Sequence, residues 1–398
     1  MNAPAQSSLS AAALPAAPAL GRRLDELVLQ PLKRAFVGKD EIIDLLGVCL
    51  AAGENCFLLG PPGTAKSALV HGLARRLDAR GFDYLLTRFT EPSELFGPFD
   101  LRRLREGDLV TNTEGMLPEA ELVFLDELLN ANSAILNSLL MVLNEKVFRR
   151  GREQRALPVL MVVGASNRLP EDEALQALFD RFLVRVRSGN VGDEQLPAVL
   201  AAGWMLEQAA PVAPKMSAGD IRALQAQLRG VDLAPVAAGY LDVIRRMRRA
   251  GLAVSDRRAV RLQRLVAASA LLCGRSVAQT SDLWVLRYTW DTEEQAEVLT
   301  ALVDAAISQA AQAPQSHPQA AGAASPDAAA LARELAAIGD ALAAIPAGGA
   351  DADAERARLR DRLGLVAGRV QWVADVAARG HLDGETARLW TGLGGDPP

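Results

Sequence analysis

The sequence predicts an α/β fold: a parallel sheet sandwiched by helices, followed by an all-helical subdomain and a C-terminal helical pair. Three observations carry this. The apolar run Cys56-Phe57-Leu58-Leu59 leads through Gly60-Pro61-Pro62-Gly63-Thr64-Ala65-Lys66-Ser67 into the helical pattern Ala68–Leu73. That is the strand, glycine-rich turn and helix in which backbone N–H groups and a helix N-terminus hold polyphosphate. Further runs follow at intervals suited to β–α alternation: Tyr84–Leu86, Leu122–Leu125, Val159–Val163 and Phe182–Val184. Runs that are apolar throughout belong to strands covered on both faces by helices. From Glu194 to about Ala305 the strand signals fade and helical spacing dominates.

In chain order, Met1–Leu20 is rich in Ala, Pro and Ser and reads as a disordered leader, with Arg22–Leu32 as the first helix. Phe36–Asp40 breaks it. Glu41–Ala52 carries Ile42, Leu45, Leu46 and Cys49 at helical spacing and delivers the chain to the first strand. Two charged stretches interrupt the alternation, Phe99–Leu109 around Glu106-Gly107 and Lys146–Leu157 around Arg150-Gly151-Arg152. Each reads as a projecting hairpin or loop, either a solvated excursion or a working one. Ala218–Leu228, Val236–Ala250, Arg257–Cys273 and Thr280–Trp290 read as helices of the second subdomain, and Gln309–Ser325 as an Ala/Pro/Gln linker. Leu331, Leu335, Ile338 and Leu342, then Leu359, Leu363, Val366, Val370 and Val373, form two apolar seams. They suit an antiparallel pair or two helices docked on the body. The expected units are therefore a leader (1–21), an α/β core (22–190), a helical subdomain (191–305), a linker (306–326) and a helical hairpin with tail (327–398).

Composition excludes several classes. Half of the 398 residues are apolar and the formal net charge is −5, so no general attraction for nucleic acid is expected. Cys49, Cys56 and Cys273 form no CxxC pair or even framework, and His71, His317 and His381 are dispersed, which argues against disulfides and a His/Cys metal site. No cationic residue precedes the N-terminal apolar stretch, and no apolar run reaches membrane-spanning length. The chain reads as cytoplasmic, without membrane insertion.

The candidate chemistry gathers around the loop. Lys66 would reach the β/γ-phosphates and the Ser67 hydroxyl would sit on Mg²⁺, while Ala65 occupies a place usually held by glycine. Leu122–Leu125 ends in Asp126-Glu127, two carboxylates at the carboxyl edge of a buried strand. Asp126 fits a Mg²⁺ ligand and Glu127 the group that polarises attacking water. Asn167, after Val163-Gly164-Ala165-Ser166, can orient water and sense the γ-phosphate, or simply form a turn. Arg181, in Leu178-Phe179-Asp180-Arg181-Phe182, either reaches a neighbour's γ-phosphoryl in a ring or is a surface charge at a helix C-terminus. Ser255 or Asp256 caps the next long helix. An arginine so near a helix N-terminus suggests an anionic partner, so Arg257, with Arg258 as the alternative, is expected to contact the γ-phosphate from the helical subdomain.

These residues resemble an AAA+ ATPase of the MoxR family, the RavA branch in particular, over roughly Leu24–Leu299. The resemblance rests on the loop with alanine before its lysine, Phe96-Gly97-Pro98, Glu114–Ala120, Phe124–Glu127, Ala134–Asn137, Asn144-Glu145 and Val254–Arg258. It implies an AAA+ P-loop core and helical lid, with Walker A at Gly60–Ser67, Walker B at Asp126-Glu127 and sensor 1 at Asn167. It further implies an arginine finger at Arg181, sensor 2 at Arg257, and Val37-Gly38 bordering adenine. It implies Mg²⁺ and ATP between subunits of a hexameric ring, a hairpin at Phe99–Leu109 facing the pore, a loop before sensor 1 at Lys146–Leu157, a partner bearing a von Willebrand factor A domain, and a protein client. The β-rich domain inserted near the C-terminal helices in the RavA pattern is replaced here by a short loop, Pro346–Asp353. Two other readings compete: a nucleotide-gated scaffold with little turnover, and a nucleic-acid or chelatase-type motor subunit whose Arg102, Arg103, Arg149, Arg150 and Arg152 touch phosphates.

Overall fold

The computed structural model describes residues 16–106, 109–150, 153–170, 173–208, 213–308, 315–320, 328–345, 350–370, 373 and 375–393. The strands are β1 Cys56–Leu59, β2 Leu77–Asp78, β3 Gly81–Leu85, β4 Leu122–Asp126, β5 Val147–Arg150, β6 Glu153–Ala156, β7 Met161–Ser166, β8 Val184–Arg187 and β9 Met216–Ser217. Five of them form one parallel sheet in the order β3-β4-β7-β1-β8. Every residue of β1 and β7 is buried, as a central strand covered on both faces requires, whereas edge strand β3 leaves alternate residues exposed. The expected α/β class is therefore observed, with two shifts. The second and last apolar runs mark strand neighbourhoods, but β3 begins earlier, at Gly81, and β8 is Val184-Arg185-Val186-Arg187, two residues beyond the predicted start.

The first helix also begins earlier than predicted. Ala17–Leu24 is helical and continues through a π-type turn, Asp25–Leu29, into Gln30–Ala35. Leu20, Leu24, Val28 and Leu32 are buried in the main core, so residues 17–21 are not part of a leader. Pro18 sits in the first turn, where its missing N–H costs nothing. The rest of the predicted leader lies outside the described residues. Helix Asp40–Ala52 follows and ends on Gly53 in the left-handed region.

The two charged excursions are one structure. Val147–Arg150 and Glu153–Ala156 pair as the antiparallel hairpin that the sequence suggests, whereas Phe99 and Thr111 form a single bridge flanking a one-turn helix, Leu101–Arg105. Arg150 lies 3.9 Å from the centroid of the Phe99 ring and donates to the Gly97 carbonyl at 2.6 Å, and the Glu153 carboxylate accepts from the Thr111 N–H at 3.1 Å. Gly97 has φ 97°, and a Cβ there would fall 1.8 Å from the Asn112 carbonyl oxygen. Gly107, Gly151 and Arg152 lie outside the described residues.

Beyond the sheet come helices Leu196–Gln208, Ala218–Gln227, Ala237–Arg249, Asp256–Leu272 and Glu293–Ile307, with a 3-10 run at Thr280–Tyr288. Asp256–Leu272 packs along Asp40–Ala52, and sheet and lid share one continuous apolar core. Within the predicted linker, residues 315–320 are packed. His317 stacks on Trp284 with ring centroids 4.5 Å apart, and Gln319 donates to Asp44 at 2.8 Å. The C-terminal helices, Ala328–Ala344 and Ala350–Val370, bury the two predicted seams in a core of their own. The expected pair is a trio: Val376–Gly392 adds Leu382 and Trp390, with Leu393 just beyond its end. Its scattered apolar residues and three glycines hide it from periodicity. Among the described residues no helix is long and apolar enough to cross a membrane.

Candidate nucleotide site

β7 lies between β4 and β1, so the residues following these three strands meet at one edge of the sheet. Gly60–Ser67 follows β1, Asn167 follows β7 and Glu127 follows Asp126, the last residue of β4. The Gly60 N–H donates to the Ser166 carbonyl at 3.0 Å, which ties the start of the loop to the turn carrying Asn167. Asn167 is exposed and has no hydrogen-bond partner among the described residues.

The loop is held from behind. A Cβ on Gly60 would fall 2.1 Å from the Ser188 carbonyl oxygen, so only glycine permits this approach of β1 to the end of β8. The Ser188 hydroxyl donates to the Thr64 carbonyl at 3.0 Å, and the Thr64 hydroxyl to the Pro61 carbonyl at 2.9 Å. Ala65 has φ 66°, the left-handed conformation that explains why glycine suits this place. Helix Lys66–Arg76 starts immediately after it. Lys66 donates to the Gly60 and Pro61 carbonyls at 2.7 and 3.0 Å, folded into the loop whose backbone it would leave for a phosphate.

The Ser67 hydroxyl donates to Asp126 Oδ2 at 3.3 Å. A hydroxyl and a carboxylate converging at this spacing are the oxygen donors that Mg²⁺ takes, so the residues present fit the ion. Glu127 also has positive φ, 49°. Burial, and then the Asp126 charge, raise its pKa above the ordinary glutamate value, partly offset by Lys66 and Arg168. Val37 and Gly38 stand by the chain that leaves the sheet. Gly38 has φ 72°, a Cβ there would meet Gln195 and Val191 within 2.7 Å, and Lys39 donates to the Gly189 carbonyl.

Arg181 lies elsewhere. The Arg181 carbonyl accepts from Asn55, which precedes β1, so its backbone stands at the amino end of the sheet while the phosphate loop stands at the carboxyl end. Ser255 caps helix Asp256–Leu272, accepting from the Arg258 N–H at 3.2 Å. Arg258 is buried against Asp291 at 2.9 Å and stands 3.7 Å from Asp180, whereas Arg257 is exposed without a partner among the described residues. The structure thus separates the two alternatives: Arg258 is committed and Arg257 is free. It also brings Arg258, the sequence neighbour of Arg257, to 3.7 Å from Asp180, the residue before Arg181.

Sequence reasoning missed Arg185. It is the second residue of β8, fully buried, paired with Asp291 at 2.7 Å and stacked over Phe179. Its only sequence signal is a charge inside a strand-like run.

A parallel sheet with a phosphate-type loop and paired acids at its carboxyl edge, joined to a helical lid, defines an AAA-type ATPase domain. The chain belongs to the MoxR family: the family described as the MoxR domain in the MoxR-vWA-beta-propeller ternary systems matches residues 22–226, and an AAA lid domain matches residues 240–303. It is 35% identical over 269 residues to an uncharacterized protein of Methanocaldococcus jannaschii, covering 67% of this chain and 70% of that protein. More distantly, it is 26% identical over 205 residues to the chaperone MoxR1 of Mycobacterium tuberculosis, covering 50% of this chain and 53% of that one. The fold is shared with the crystal structure of a candidate ATPase from Cytophaga hutchinsonii, with TM-score 0.59, 18% identity, and coverage of 72% of this chain and 95% of that one.

Proposed function

We propose that the protein hydrolyses ATP at the interfaces of a cytoplasmic ring, hexameric by family resemblance, and uses the cycle to remodel or mature a protein client. The observation that carries this reading is the convergence of Gly60–Ser67, Asp126-Glu127 and Asn167 on one sheet edge. Ser67 and Asp126 would hold Mg²⁺, which supplies charge neutralisation on the β/γ-phosphates. Val37 and Gly38 border the adenine, and the loop N–H groups with Lys66 bind and orient the phosphates. Glu127 takes the proton of the attacking water, and Asn167 orients that water. Arg181, whose backbone stands at the opposite end of the sheet from its own loop, and Arg257, exposed at the start of the lid helix, serve the γ-phosphate of a neighbour. The partners are a von Willebrand factor A domain protein, as the resemblance implies, and a β-propeller protein, as the family's description suggests. The motif set supports a place near the RavA branch.

Glu127→Gln tests the reading. It should lower kcat by about 10²–10⁴-fold while ATP still binds. Equal hydrolysis by both proteins would sink the assignment.

A further inference from the structure

β8 is a four-residue strand with the phosphate loop at its carboxyl end and Arg181 shortly before its amino end. At its carboxyl end the Ser188 N–H donates to the Leu59 carbonyl at 2.7 Å and the Ser188 hydroxyl to the Thr64 carbonyl at 3.0 Å. The Ser188 carbonyl oxygen occupies the space a Gly60 side chain would need. Any movement of the loop that follows β1 is therefore felt at Ser188.

Toward its amino end a row of alternating charges begins. Arg185, with no exposed side-chain surface, donates to the Trp290 carbonyl at 2.6 Å and the Phe179 carbonyl at 3.1 Å, and pairs with Asp291 at 2.7 Å. Asp291 also takes Arg258, which stands 3.7 Å from Asp180, and Asp180 pairs with Arg181 at 3.2 Å. Arg258 adjoins Arg257 at the start of the lid helix. One carboxylate, Asp291, thus joins the core strand to the helix carrying Arg257, and the row ends on Arg181. The inner links are short, with Arg185 and Arg258 buried and Asp291 32% exposed, whereas Asp180 is 53% exposed and its link to Arg258 is long. Buried charge that loses its partner is strongly penalised, so Arg185, Asp291 and Arg258 move as one body, and the outer link yields first. β8 is the last strand of the described sheet, hydrogen-bonded within it to β1, and its Arg185 reaches the lid at Trp290 and Asp291, so it touches both the loop and the lid.

We propose that β8 couples the two ends: Ser188 follows the phosphate loop, and Arg185, through Asp291, sets Arg181 and Arg257, so that nucleotide held by one subunit governs the arginines it offers to its neighbour. Ser188, Arg185 and Asp291 are positioning residues in this device. The inference rests on the ring reading above, since without a neighbour the arginines serve no second site. A coupling of this kind needs an element whose position both sites bias, and β8 is that element.

Steady-state ATP hydrolysis by Ser188→Ala, Asp291→Asn and the double variant tests it, with thermal unfolding measured alongside. Each single variant should keep its half-saturating ATP concentration within about twofold, lose cooperativity so that the Hill coefficient falls to about 1, and lose kcat. Because the residues act in series, the double variant should lose no more than the worse single one. Ser188→Thr, which keeps the hydroxyl, should restore cooperativity. A native Hill coefficient of 1, singles that retain native cooperativity and kcat, or a double whose loss is the product of the singles overturns the coupling. Should Asp291→Asn fail to fold, the Ser188→Ala and Ser188→Thr pair decides alone. Full turnover by Arg181→Ala would instead remove the neighbour reading itself, which keeps the two failures distinct.

Discussion

The carboxyl edge of the sheet and the interior of the lid use the same charged residue types in opposite ways. At the edge, Ala65 and Glu127 hold positive φ without being glycine, Lys66 is satisfied only by carbonyls of its own loop, and Asn167 is open to solvent. Inside the lid, Asp282 has no exposed surface and accepts from both Arg275 guanidinium nitrogens at 2.7 and 2.8 Å, from Ser269 at 2.8 Å and from the Gln279 N–H at 2.7 Å. Charges that must accept a changing partner are left with contacts easily exchanged. Charges that hold helices in place are paired with an opposite charge, because a buried charge without a partner is costly.

The sharpest way to break the contrast is Asp282→Ala, which strands the Arg275 guanidinium. It should cost about 3–5 kcal/mol in urea unfolding, against little change in stability for Glu127→Gln. If Asp282→Ala is as mild as Glu127→Gln, the Arg275–Asp282 pair does not hold the lid together.

An effect confined to acid is expected at His317. Burial, then Lys33 and Arg275, depress its imidazole from 6.5 to about 3. The unfolded chain takes up this proton below 6.5 while the folded chain refuses it until about 3. The stability due to a neutral His317 is therefore full above the first value and lost as pH falls toward the second. His317→Phe, which keeps the stacking on Trp284, should flatten the pH dependence of stability across that window and change it by no more than about 1 kcal/mol at neutral pH. Parallel slopes for the two proteins would mean that the imidazole is solvated.

The smallest effect belongs to the loop. Ala65→Gly relieves the left-handed strain, worth about 1 kcal/mol, but adds unfolded-state entropy of similar size, so stability should move by under about 1 kcal/mol. Calorimetry that finds a larger loss would show Ala65 packed rather than strained.

The site was partly legible because its sequence signals are local. Gly60–Ser67, Asp126-Glu127 and Asn167 each close a short apolar run, and a run buried on both faces announces a strand and the edge where it ends. Arg181 and Arg257 were legible as residues but not as neighbours, since nothing in the intervening sequence says that the lid helix folds back along Asp40–Ala52 to bring Arg258 to Asp180. Arg185 was read as lying beyond the last strand, because a charge in a strand looks like its end until a carboxylate more than a hundred residues later is brought to it. Residues 17–21 and 315–320 were assigned to a leader and a linker on composition, yet Leu20 and His317 are buried by helices distant in sequence.

By itself the sequence determined the α/β class, the strand, turn and helix around Gly60–Ser67, the acids and amide that follow two other apolar runs, and the apolar seams of the C-terminal helices. All of these follow from spacing within one element or across one turn. Only the tertiary structure decided the strand order that gathers the three edge groups, the freedom of Arg257 beside the commitment of Arg258, and the joining of β8 to the lid. Those depend on contacts between residues far apart in the chain, whose geometry no local period encodes.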